Sequence, residues 1–168
     1  MGWTPYSRAR TSYSRRSPVR RLLSSLTRSS TRVFIDTGAF VALRNRAERE
    51  HELARATLKQ LAQEGVHLFT SNYVFVETYT ALLVRVGRNE TIEWGKRFRA
   101  SETIEPIRVD EDVEQEAWSI LESHTDKTWS YVDATSFSLI ERERLTAAFA
   151  FDRHFAQRGL NVLPGSHG

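Results

Sequence analysis

From Val33 onward the chain alternates short apolar runs with stretches of helical periodicity, and this alternation limits the fold more than any other feature. Val33-Phe34-Ile35 is an apolar run ending in Asp36, the pattern of a buried strand. Helical periodicity follows over residues 38–44 and 51–63, where Leu53, Ala56, Leu58 and Leu61 recur. Gly65 stops that helix, and residues 66–70 read as a second strand. Ser71 and Asn72 carry N-cap chemistry for an apolar helix over 73–86, which Gly87 ends. A more polar helix is predicted over 88–100. Residues 104–109 read as a strand whose Pro106 assigns it to a sheet edge. Asp110 can cap a helix running to 123, and Ser130 opens another that runs to 143. Residues 147–151 read as a strand, 152–157 as a short helix and 160–163 as a last strand. Parallel strands need crossovers that return over the sheet, so the pattern predicts a single α/β domain: a central, mostly parallel β-sheet flanked by helices.

Composition adds limits. With 168 residues and a hydrophobic fraction of 40%, the chain can bury one core but not two ordinary ones. No cysteine is present, which excludes disulfides and thiolate zinc sites. No apolar run approaches the ~20 residues needed to span a bilayer, and a cytoplasmic, membrane-free protein is expected. The formal charge of +3 averages two unlike parts. Residues 1–32 hold eight of the 24 basic residues and none of the 21 acids, so the remainder carries 16 bases against 21 acids, a formal −5. The Arg/Ser-rich segment 1–32 reads as a disordered tail; its composition also suits a transit peptide or an over-long start. The expected domain spans 33–164, with a short C-terminal tail over 165–168.

Four acids stand out by position. In an open parallel sheet, ligand sites form beyond the carboxyl ends of the strands. Asp36 and Asp152 each follow a predicted strand, and each has a plain alternative role as a helix N-cap. Asp133 sits three residues after Ser130 in a capping-box pattern, yet borders the apolar face that Phe137 and Ile140 mark. Glu77 falls inside an apolar helix, among Tyr73, Val74, Ala81 and Val84, where a carboxylate is costly unless a cation or donors meet it. Carboxylates gathered at one rim repel unless a cation neutralises them. Hard oxygen-seeking cations do so: Mg²⁺ first, with Mn²⁺ as the alternative. The five histidines have no zinc-ligand spacing and read as surface or capping residues.

Four segments carry a family resemblance: Val33-Phe34-Ile35-Asp36-Thr37-Gly38-Ala39-Phe40, Ser71-Asn72-Tyr73-Val74-Phe75-Val76-Glu77, Ser130-Tyr131-Val132-Asp133-Ala134 and Ala150-Phe151-Asp152-Arg153-His154-Phe155. Together, over about residues 32–164, they resemble the PIN-domain family, and within it the VapC toxins of type II toxin–antitoxin pairs. The resemblance implies a single α/β domain, a homodimer, an antitoxin protein as partner and Mg²⁺-dependent endonucleolytic cleavage of RNA. It implies that Asp36, Glu77, Asp133 and Asp152 coordinate the metal, with Thr37 and Ser130 supporting them. Gly38 stands where the family more often has serine or alanine, which suggests a looser turn into the first helix.

The chemistry expected is metal-assisted phosphodiester hydrolysis at the four acids, one of them acting as general base through water. Arg85 and Arg88, with Lys96, Arg97 and Arg99, form the basic stretch best placed for RNA, although any one of them has a plain reading as a solvated helical face. Trp94 and Phe98 read as packing or dimer contacts. A stand-alone RNA-processing nuclease, or a PIN-like module that binds RNA or a partner without cutting, stays open. No Gly-rich phosphate loop supports a nucleotide-binding domain.

Overall fold

Val33, Phe34 and Ile35 have no solvent exposure, because their strand, β1 (Arg32–Ile35), runs through the middle of a sheet covered on both faces. The computed structural model describes residues 31–165. Residues 1–30 and 166–168, and with them nearly all of the predicted tails, lie outside the described residues. The other strands are β2 (His67–Ser71), β3 (Ile104–Ile107), β4 (Ala147–Phe149) and β5 (Val162–Leu163). They pair in the order β3-β2-β1-β4-β5, every pair parallel. Pro106 lies on β3 at the edge of that order, where a missing N–H costs no ladder bond on the open side.

Seven helices connect the strands among the described residues: α1 (Thr37–Arg44), α2 (His51–Gln63), α3 (Asn72–Arg85), α4 (Arg88–Arg99), α5 (Glu111–Ser123), α6 (Tyr131–Arg142) and α7 (Arg153–Gln157). Asp36, Ser71, Asp110, Ser130 and Asp152 each accept a backbone N–H at a helix start, as N-caps do. Asp36 and Ser71 directly end β1 and β2, so α1 and α3 open at the carboxyl rim of the sheet.

Most boundaries shift by a residue or two from those the pattern predicts, and three of the shifts have a plain local cause. The sheet takes in Arg32, because its N–H donates to Thr146 Oγ1 and its carbonyl accepts from the Thr146 N–H and hydroxyl. Its guanidinium covers the Phe69 ring at 4.5 Å. β4 stops at Phe149, so Asp152 stands three residues past the strand rather than directly after it. The last strand begins at Val162, since Gly159 adopts φ 82° and the Leu160 N–H turns back to the Phe155 carbonyl, closing α7.

Two aromatic groups fasten helices to one another. Phe40, Phe75, Trp94 and Phe98 lie with ring centroids 4.9–5.8 Å apart and join α1, α3 and α4. Trp94 and Phe98 are therefore packing residues. Trp129, Phe137 and Phe155 meet edge to face at 5.1 and 5.2 Å, joining α6 to α7.

Candidate active site at the carboxyl rim

Asp36 is the most confined of the four acids. It leaves β1 in extended conformation, and its Oδ2 accepts the Gly38 N–H at 3.1 Å. The residue is only 6% exposed. Burial, with the nearby charges of Asp133 and Glu77 adding to it, pushes its carboxyl up to about 7, although the amides of Gly38 and Thr37 oppose the rise. A capping role and a strained carboxylate coexist in one side chain. Gly38 lies inside the first turn of α1, and its amide holds Asp36, so the turn is not loose. A Cβ there would meet Asp36 Oδ2 at 3.6 Å, an ordinary contact, so space does not demand glycine.

Glu77 sits differently from the expectation. The buried strip of α3 is Val74, Thr78 and Leu82, at helical spacing. Glu77 is one residue, about 100°, off that strip and half-buried. Val84, expected on the same apolar face, is 83% exposed. Among the described residues the carboxylate is met by the Thr37 hydroxyl, which donates to Glu77 Oε2 at 2.5 Å. That bond ties α1 to α3 and draws Glu77 toward Asp36.

Asp133 forms the full capping box with Ser130: the Asp133 N–H donates to Ser130 Oγ at 3.0 Å, and the Ser130 N–H donates to Asp133 Oδ2 at 2.7 Å. Asp152 caps α7 through the His154 N–H at 2.9 Å, and its side chain is 46% exposed. His154 then links the two acids, its Nδ1 lying 3.0 Å from Asp133 Oδ2 and 3.3 Å from Asp152 Oδ1. In sequence His154 is only one of five scattered histidines. The available signal was its place in the first turn of a helix capped by a candidate ligand.

Arg85 is eight residues beyond Glu77, roughly 12 Å further along the axis of α3, and pairs with Glu48 at 2.6 Å. Arg88 follows it at the start of α4. Lys96 pairs with Glu93 at 2.8 Å. Part of the basic stretch is thus paired with acids, and its first member, Arg85, ends α3.

The donor set fits a hard cation. Four carboxylates offer oxygen alone, and the burial and neighbouring charges that raise Asp36 are relieved by positive charge. Among the described residues no three of these groups stand at the spacing of a finished metal cage. Mg²⁺ keeps several waters and takes one or two carboxylates together with substrate phosphate, so an open rim of acids suits it better than a closed cage would.

The fold has relatives. The chain is 34% identical over 128 residues to the 23S rRNA-specific endonuclease VapC20 of Mycobacterium tuberculosis, covering 76% of this chain and 94% of that protein. The crystal structure of that protein, described as a sarcin-ricin loop cleaving toxin, superposes with a TM-score of 0.69 at 32% identity, over 76% of this chain and 95% of the other. VapBC2 of Rickettsia felis, solved on a DNA fragment from its promoter, shares the fold with a TM-score of 0.60 at 15% identity, over 79% and 97% of the two chains. FitAcB of Neisseria gonorrhoeae does so with a TM-score of 0.54 at 18% identity, over 77% and 95%. The PIN domain family model matches residues 33–160, which take in all four acids, and the chain belongs to the PIN-domain family.

Proposed function

We propose that the chain is a Mg²⁺-dependent endoribonuclease, the toxin of a VapBC-type pair, acting in the cytoplasm as a homodimer held in check by an antitoxin protein. The observation that carries the nuclease reading is Asp36: a carboxylate with 6% exposure, pushed up to about 7 by burial and by the charges of Asp133 and Glu77. Such a group is poorly placed unless a cation joins it. Asp36, Glu77, Asp133 and Asp152 would hold the ion. When bound, a divalent cation lowers the pKa of water and offsets charge on the scissile phosphate. The chain's own part is positioning. The Gly38 amide orients Asp36, the Thr37 hydroxyl orients Glu77, and the Ser130 amide orients Asp133. Without the cation, Asp36 holds a proton up to about neutrality, so binding releases protons. The similarity to VapC20 makes 23S rRNA, at the sarcin-ricin loop, the substrate to try first. No described helix is long and apolar enough to cross a membrane.

The test is incubation of purified protein with 23S rRNA and with an unrelated RNA, in Mg²⁺, in Mn²⁺ and in EDTA. Cleavage in either metal and none in EDTA is expected. Binding without cleavage in every buffer would favour a non-catalytic PIN-like module instead. Replacing Thr37 by valine keeps its shape but removes the donor to Glu77. Cleavage is expected to fall roughly 10–100-fold with little change in melting temperature, whereas Thr37→Ser retains most activity. An unchanged rate in Thr37→Val would show that the Thr37–Glu77 bond has no part in the reaction.

A further inference from the structure

We propose that His154 is a positioning residue: its Nδ1–H clamps Asp133 and Asp152 so that they meet a divalent cation as one preset pair. This rests on the metal-dependent reading above. A carboxylate oxygen only accepts, so the ring nitrogen 3.0 Å from Asp133 Oδ2 carries the hydrogen. The same Oδ2 accepts the Ser130 N–H at 2.7 Å. Two donors occupy the lone pairs of that oxygen, which leaves Oδ1 of Asp133 without a protein donor among the described residues. Nδ1 also lies 3.3 Å from Asp152 Oδ1, so one N–H stands between two like charges that otherwise push apart.

The ring is held where it acts. The side chains of His154 and Asp133 are 17% and 13% exposed, so water competes weakly for the bond. The next residue, Phe155, is fully buried and packs edge to face on Phe137, one helical turn beyond Asp133 on α6. Just past α7, its C-cap Arg158 pairs with Glu141 of α6 at 2.8 Å. α6 and α7 therefore reach the site already fastened together, and His154 transmits that fixed relation to the two carboxylates. A histidine that merely capped α7 would use its backbone N–H, as it does toward Asp152, and would have no need of the ring contact to Asp133.

The experiment is calorimetric titration of the full chain with Mn²⁺, alongside metal-free melting. His154→Ala removes the clamp and is expected to weaken Mn²⁺ binding at least ~10-fold. His154→Asn places an amide N–H near the position of Nδ1 and is expected to stay within about 3-fold of the unaltered chain, a small part of the 10–100-fold range seen when such partners are lost. Should the alanine chain fail to fold, His154→Gln, whose amide falls near Nε2 instead, takes its place in the comparison. Equal Mn²⁺ affinity in the alanine and unaltered chains, with only the melting temperature lowered, would overturn the positioning role and leave the metal site standing. Equal weakening in the alanine, glutamine and asparagine chains would overturn it too. No Mn²⁺ binding by the unaltered chain would overturn the metal reading and this proposal together.

Discussion

An Asp36→Asn chain is expected to cut RNA roughly 10²–10³-fold more slowly, corresponding to about 3–4 kcal/mol of lost transition-state stabilisation, and yet to melt higher than the unaltered protein when no metal is present. Both effects have one cause. Asp36 is a charge held in an apolar pocket at the end of β1, beside Phe34, Ile35 and Ala39, none of which is exposed. Burial opposes its ionised form, and Asp133 and Glu77 add like charge. Asparagine retains a carbonyl that can accept the Gly38 N–H, so the cap on α1 survives while the buried charge goes. Without metal, the variant is expected to gain a few degrees at neutral pH. With Mg²⁺ the order should narrow or reverse, because only the unaltered chain gains from binding. Single-turnover cleavage and melting curves with and without Mg²⁺ check all three statements. A variant that cleaves normally would remove Asp36 from the reaction, and one that melts lower in every buffer would show that its charge costs the fold nothing.

Metal-free stability should fall as pH rises from about 4 to about 7, by an amount on the order of 4 kcal/mol if Asp36 acts alone. The sign follows from proton counts. Below about pH 4 the carboxyl is protonated in both the folded and unfolded chain and contributes nothing. Above its ordinary value of 3.8 the unfolded chain releases the proton, while the folded chain keeps it to about 7. Through that window the folded state binds more protons, so each step up in pH favours unfolding. Above 7 both states are ionised and the loss is complete. Asp110 works in the opposite sense, since the Val113 amide and then Arg142 hold its carboxyl below the usual value. Its contribution is lost only as pH falls below about 4, so the two windows do not overlap. Denaturant melts of the EDTA-treated chain at pH 4.5, 6 and 7.5 are the measurement, with Asp36→Asn expected to flatten the trend. A rise in stability across that range would mean that Asp36 is ionised comfortably in the folded chain.

Much of the architecture was legible in the chain itself, because its signals are local. A cap such as Ser130, an edge marker such as Pro106 and the apolar run before Asp36 each act through the few residues around them. The relative standing of the acids was not legible. Glu77 looked like the uncomfortable one, since apolar neighbours surround it in sequence. The buried strip of α3 instead passes through Thr78, and Glu77 meets a threonine forty residues away. Asp36 looked like a simple cap, and it is the residue whose charge the fold confines most.

The sequence by itself therefore determined the order of strands and helices along the chain and the caps that start the helices, and it marked four acids as candidates. Those features depend on backbone geometry and side-chain chemistry over a few residues. Only the tertiary structure decided which acid is buried, that the Thr37 hydroxyl donates to Glu77, and that His154 stands between Asp133 and Asp152. Those outcomes depend on the sheet order β3-β2-β1-β4-β5, which brings residues forty or more apart in the chain to one rim and shuts water away from some of them but not others.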